Sequence, residues 1–215
     1  MKLDQLVELA KTDSSKLDRT ASILEEFNKT KTRYEAACTH LKDEMRNQID
    51  TEIRNLADLR SEFHYSSEEE GSIIHIKDTK VSLNFEFGYG CTYSKFGYRT
   101  RLSIHRSDTQ SDFFIDLAPT EDFKVEPIHL DMSLQHKIEQ RGRYKDKELN
   151  TDDLANIEKH INYLKLNIEY IESRDLEDCM YYLIIGSNAN NKPTFDSFHF
   201  QEVVERALSL APNLK

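Results

Sequence analysis

From Leu17 to Phe63 the chain contains neither proline nor glycine, and apolar residues recur through that stretch at steps of three and four. No other feature restricts the fold as strongly. Proline removes a backbone donor and glycine gives up the most conformational entropy, so a run this long without either signals a helix before any side chain is weighed. Leu17, Leu24, Cys38 and Met45 share one heptad position, interrupted by Lys31, and Thr20, Phe27, Tyr34 and Leu41 share the position three residues on. Two such columns keep one seam against a neighbouring helix, which predicts a coiled coil. After Leu41 the stripe changes step and continues through Met45, Ile49, Ile53, Leu56, Leu59 and Phe63. That relaxes a left-handed supercoil and suits packing on the protein's own core. A short amphipathic helix over residues 3–10 precedes the run, with Thr12, Asp13, Ser14 and Ser15 as capping residues. Residues 1–70 are therefore expected to form a helical, partly coiled-coil arm.

The period then switches from helical to alternating. Val81, Leu83, Phe85 and Phe87 interleave with Ser82, Asn84 and Glu86, while Leu102 and Ile104 oppose Arg99, Arg101 and His105. With "SIIHIKD" before them and "DFFIDL" after, these segments predict a four-stranded antiparallel meander over 72–117 with one face buried. Residues 118–150 read as an irregular connector broken by Pro119 and Pro127. Its basic part, Lys137, Arg141, Arg143, Lys145 and Lys147 around Tyr144, is diluted by Glu139, Asp146 and Glu148 and reads as solvated. Helices are expected over 151–211. The first opens at Asn150 or Thr151 and carries Leu154, Ile157, Ile161, Leu164, Ile168 and Ile171 in unbroken three-four alternation. About three heptads is short for an isolated coiled coil, so this stripe must dock on the N-terminal arm or on a second copy; it is the expected dimerisation seam. "CMYYLIIG" fits a buried strand or a helix end equally, because a continuous apolar run has no period. A last helix is expected from about Ser197 to Leu210. The fold class is α+β, a helical arm at 1–70 followed by an α+β domain at 71–215.

Composition narrows the function classes. With 39 acidic against 29 basic residues the net charge is −10, which disfavours a general nucleic-acid coat, since phosphate affinity comes from clustered Lys and Arg. Cys38, Cys91 and Cys179 are odd in number and lack metal-ligand spacing, so no metal or cofactor is expected and a reducing, cytoplasmic setting fits. No apolar run approaches the length of a membrane span.

"NFEFGYGCTYSKFGYR" concentrates Gly88, Gly90 and Gly97 among aromatics and looks at first like a phosphate loop. A dinucleotide loop needs a further glycine where Tyr93 stands, and a helix after it; a strand follows instead. No Walker sequence and no kinase catalytic sequence occurs. The stretch is expected to be a hairpin connection whose glycines adopt angles closed to other residues. Tyr89, Tyr93, Phe96 and Tyr98 would either cap the sheet or form a contact surface with Arg99 and Arg101, with Tyr93 and Phe96 at least partly exposed at the tip. On the polar sheet face, His75, Glu86, His105 and Asp116 carry the types needed for acid–base chemistry, and with Arg99 and Arg101 the face could receive a phosphodiester. Cys91 beside a glycine has no nucleophile signature around it and reads as a small apolar residue.

The expected function is non-catalytic: an adaptor, accessory subunit or inhibitor occupying the surface of another protein, as a homodimer. The alternative is a protein that binds or cleaves nucleic acid with the His/Arg face.

Overall fold

The computed structural model describes residues 3–91, 94–121, 123, 125–140, 149–185 and 193–214. They form two compact units, Met1–Ala37 with Lys124–Ser173, and Cys38–Phe123 with Arg174–Lys215. Helix α1 (Leu3–Asp58) contributes to both.

The first unit is helical. It holds α1 up to Ala37, α2 (Met132–Glu139) and α3 (Thr151–Glu172). α1 runs without a break through the segment expected to cap a second helix. The Thr12 hydroxyl donates back to the Glu8 carbonyl and the Ser15 hydroxyl to the Thr12 carbonyl, each at 2.8 Å, so both are satisfied inside the helix. α2 lies inside the stretch expected to be irregular, and the Asp131 carboxylate accepts from the Leu134 amide at 2.7 Å to start it. α3 opens where expected. Asn150 and Asp153 form a reciprocal capping box, which fixes the first turn.

The core of this unit joins Ile23 and Phe27 of α1 to Leu154, Ile157, Ile161 and Leu164 of α3 and Leu130 and Leu134 before and within α2. All six residues expected at a dimer seam, including Ile168 and Ile171, are buried within the single chain. The α1 stripe differs from the sequence reading by one column. Ile23, Phe27 and Thr30 point inward, while Leu17 is 61% exposed and Lys31 is on the outside. Three ion pairs run beside this seam: Arg19–Glu158 at 3.2 Å, Lys165–Glu26 at 2.6 Å and Arg33–Glu172 at 2.7 Å. Each joins residues separated by 139 positions, so α1 and α3 run parallel and in constant register.

The second unit is built on a seven-stranded antiparallel sheet in the order β1 (Phe63–Glu68), β2 (Gly71–Ile76), β3 (Val81–Gly90), β4 (Tyr98–Arg106), β5 (Thr109–Pro119), β6 (Cys179–Ile185) and β7 (Phe195–Ser197). The four-stranded meander expected from sequence is thus its middle and not its whole. β1 was hidden because Phe63 extends the helical stripe of α1, yet the helix stops at Asp58 and Leu59 is 53% exposed. β6 carries no alternation because it lies between β5 and β7 with both faces covered. β7 is only three residues long.

One sheet face is packed by helices. Leu41, Met45, Ile49, Ile53, Leu56 and Ala57 of α1, with Phe200, Val203, Val204 and Ala207 of α4 (Phe200–Leu210), are buried with Ile74, Leu83, Phe85, Leu102, Ile104, Ile115 and Leu183. The Phe200 ring lies 5.3 Å from Tyr181 and 6.0 Å from Phe85 between centroids. A polar clamp adds direction. The hydroxyls of Ser72 and Tyr65 donate to Asp50 Oδ1 at 2.7 and 2.9 Å, and Arg54 donates to Oδ2 at 2.6 Å. Gly71 is required where β2 meets β3: a Cβ there would stand 2.1 Å from the Phe85 carbonyl oxygen.

Candidate functional site

Register decides the acid–base alternative. His75 stands opposite Ser82, and Ser82 opposite His105, so the two histidines are two strands apart, about 10 Å. Glu86 is four residues along β3 from Ser82, about 13 Å at the rise of a strand. Asp116 pairs with Arg99, six residues from His105 along β4 and about 20 Å away. The four residues share a face without meeting. Glu86 is also engaged, within 3.4 Å of Arg101, whose other amino group holds Asp112 at 2.9 Å. Asp112 further accepts from the Ser103 hydroxyl at 2.7 Å. Burial pushes the Asp112 carboxyl up, but Arg101, Gln110 and Ser103 together outweigh it and hold it below the ordinary value.

The glycine-rich stretch is a hairpin connection, as expected. β3 carries an irregularity between Glu86 and Tyr89, and Gly88 sits at φ +97°, where a side chain is strained. The Gly88 amide donates to the Tyr98 hydroxyl at 3.1 Å. Tyr98 and Phe96 are buried, so Phe96 does not stand open at the tip; it meets Phe123 edge-on at 5.5 Å, with the Lys95 ammonium over both rings. The physical reason is that Phe123, in the connector, supplies a partner ring that the alternation of the strands could not reveal. The side chain of Tyr89 and the whole of Tyr93 lie outside the described residues, as do 141–148 of the basic loop. Lys137 pairs with Asp153 at 2.8 Å.

Arg99 is not a surface cation. Its guanidinium donates to both oxygens of Asp116, at 2.6 and 2.9 Å, with the two side chains 6% and 0% exposed. It lies over the Phe114 ring at 5.0 Å, and the Cys91 thiol donates to Asp116 Oδ2 at 3.2 Å. This is a planar, two-point pair of the kind that holds a buried charge when every lone pair is met. It fastens the β4–β5 end of the sheet.

Elsewhere in the sheet-bearing unit lies a cleft of about 710 Å³. Glu44, Gln48 and Glu52 reach it from one face of α1 at i, i+4 spacing. Arg174, Asp175, Leu176 and Glu177 form the opposite wall, around a 3-10 turn at Leu176–Asp178. Leu117, Cys179 and Tyr181 of β5 and β6 and the exposed Phe198 complete it.

Its charges are unbalanced. Arg174 is engaged with Glu121 at 3.2 Å. Glu44 faces His40 at 3.2 Å, Glu52 accepts from the Gln48 amide at 3.2 Å, and Asp175 accepts from the Glu177 amide. Among the described residues, none of the four cleft carboxylates, Glu44, Glu52, Asp175 and Glu177, has a Lys or Arg ion-pair partner. Burial, with Asp178 next to it, pushes the Cys179 thiol up to about 11, so it stays protonated and is a poor nucleophile. Burial pushes the Tyr181 hydroxyl up as well, and that oxygen has no hydrogen-bond partner.

Compared with family models, curated proteins and solved structures, the chain matches none. Among the described residues no group of three His, Cys, Asp or Glu side chains could hold a metal ion, and no helix is long and apolar enough to cross a membrane. Sequence reasoning missed the cleft because its walls lie more than a hundred residues apart in the chain. The only local trace was the i, i+4 series Glu44, Gln48, Glu52, which any solvated helix face also shows.

Proposed function

We propose that this protein works by binding another protein and not by catalysis, as an adaptor, accessory subunit or inhibitor. The observation that carries this reading is the state of the ionisable residues on the sheet. His75, Glu86, His105 and Asp116 do not converge, and Arg99 and Arg101 are each engaged with carboxylates of the same chain. That leaves the nucleic-acid alternative without the two cations on which it was built. The acidic cleft favours a partner of opposite charge, because complementary potential steers encounter and fixes orientation.

The test is reconstitution. The protein is used as bait in extract of its host, the co-purifying chain is produced separately, and the two pure chains are mixed in a calorimeter. A saturable complex that weakens with salt is expected. No complex, together with nuclease activity abolished by His75→Ala and His105→Ala, would replace this reading with the alternative.

A further inference from the structure

We propose that the cleft lined by Glu44, Glu52, Asp175, Glu177, Tyr181 and Phe198 receives a cationic side chain, arginine in preference to lysine, from an extended basic segment of the partner. This rests on the binding reading above and adds to it a place and a ligand class.

Three independent features converge on one occupant. The first is charge. In the helical unit three acids and three bases meet across α1 and α3, and on the sheet Arg101 lies between two carboxylates. The cleft gathers four carboxylates, and its own arginine is turned to Glu121. A bound cation would supply the missing partner.

The second is Tyr181. The residue is 4% exposed and its hydroxyl is unpartnered. Of the cleft residues beside it, Glu52 acts through its charge and Gln48 through its side-chain amide, which lies near enough to lower the pKa of the hydroxyl; that amide nitrogen is nevertheless directed to Glu52 at 3.2 Å, and no hydrogen bond of good geometry closes on the Tyr181 oxygen. A buried hydroxyl without a partner is costly in a folded protein unless something else meets it.

The third is Phe198, 55% exposed at the same cleft. An aromatic face beside carboxylates suits a guanidinium, which stacks on the ring while its fork of donors reaches oxygens on either side. An ammonium does the first less well and lacks the fork. A bare metal ion fits none of this, since among the described residues no cluster can ligate one. The volume of about 710 Å³ suits a side chain with its flanking backbone.

The experiment uses the full chain and the acetylated, amidated peptide Arg-Gly-Arg-Gly-Arg, with lysine and glutamate counterparts, by calorimetry at low ionic strength. Wild type is expected to bind the arginine peptide most tightly, the lysine peptide more weakly and the glutamate peptide not at all. Glu52→Gln with Glu177→Gln should weaken arginine-peptide binding about tenfold, whereas Glu70→Gln with Asp108→Asn, which remove the same charge outside the cleft lining, should change it less than about twofold. Phe198→Ser should weaken it as well. Tyr181→Phe keeps the ring and removes only the hydroxyl, so it should weaken binding about threefold or more while the melting temperature holds or rises. Equal losses in the cleft and control pairs would overturn the proposal, because net charge alone would then explain the affinity. Full affinity in Tyr181→Phe, or lysine binding at least as well as arginine, would also overturn it. No peptide binding by wild type would overturn it while leaving the reconstituted complex, and so the broader reading, standing.

Discussion

The two units use charge in opposite ways. In the helical unit Arg19, Glu26 and Arg33 meet Glu158, Lys165 and Glu172, and every one of these side chains is between 44% and 65% exposed. Exposed pairs contribute little stability each, about 0.2–1 kcal/mol. Their signs alternate along both helices, however, so a slip of one heptad in either direction would set like charges against each other. The apolar seam supplies the attraction and the charges select the register. In the sheet unit the Arg99–Asp116 pair is almost wholly buried, and what matters there is that neither member is left alone. Exposure thus makes a pair selective but weak, and burial makes it indispensable but silent about partners. The cleft belongs to neither class: its four carboxylates are gathered at one concavity without a Lys or Arg ion-pair partner among the described residues.

The largest expected effect falls on the buried pair. Asp116→Ala leaves an uncompensated guanidinium under Phe114 and should cost about 3–5 kcal/mol of unfolding free energy by urea titration. The milder Asp116→Asn, which keeps the shape, should lose less. If Asp116→Ala unfolds no more easily than wild type, the pair is not structural and Arg99 is available for function.

Next is the seam of the helical unit. Ile161→Ala removes a fully packed side chain and should cost about 2–5 kcal/mol, read as loss of helical signal at lower temperature. Because this stripe is covered within its own chain, wild type needs no second copy to hide it. Sedimentation at micromolar concentration should give the mass of one chain, and a dimer that dissociates in Leu164→Asp would mean that the stripe also serves two chains.

Acid should then weaken the sheet. In the folded state burial raises Asp50 and Asp112, but their hydrogen bonds and arginines overcome it and hold both below 3.8. A depressed folded value means the unfolded chain binds protons first. The stability these groups contribute is therefore present above the ordinary carboxylate value and is lost as pH falls through it toward the folded values. Loss of sheet signal below about pH 4 is expected, and Asp50→Asn with Asp112→Asn should flatten that slope.

The smallest effect is the most selective. Glu26→Lys places a lysine against Lys165. It should lower stability by only about 0.2–1 kcal/mol, and the added Lys165→Glu should restore it. If the double change restores nothing, the charges do not read register.

How far the sequence foretold this follows from distance along the chain. The cap at Asn150, the stripe from Leu154 to Ile171 and the alternation of β3, β4 and β5 are local patterns, and each stands where its period placed it. β1 was misread because Phe63 satisfies a helical step and a strand equally well. β6 was undecided because burial on both faces erases alternation. Phe96 is covered rather than open because its partner ring, Phe123, lies in the connector beyond β4 and β5, out of reach of any local pattern. The cleft was illegible for the same reason, since nothing in "SRDLEDC" announces that it will face Glu44 and Glu52.

The proposed cleft, the His/Arg face and the helix pair are three separate places where a partner would leave its mark. Backbone amide shifts of the labelled protein, followed as the reconstituted partner is added, tell them apart most directly. With the partner in the cleft, the perturbed amides are expected to centre on Glu44–Glu52, Arg174–Tyr181 and Phe198. Perturbations centred on His75, Ser82 and His105, or on the seam of α1 and α3, would contradict that placement.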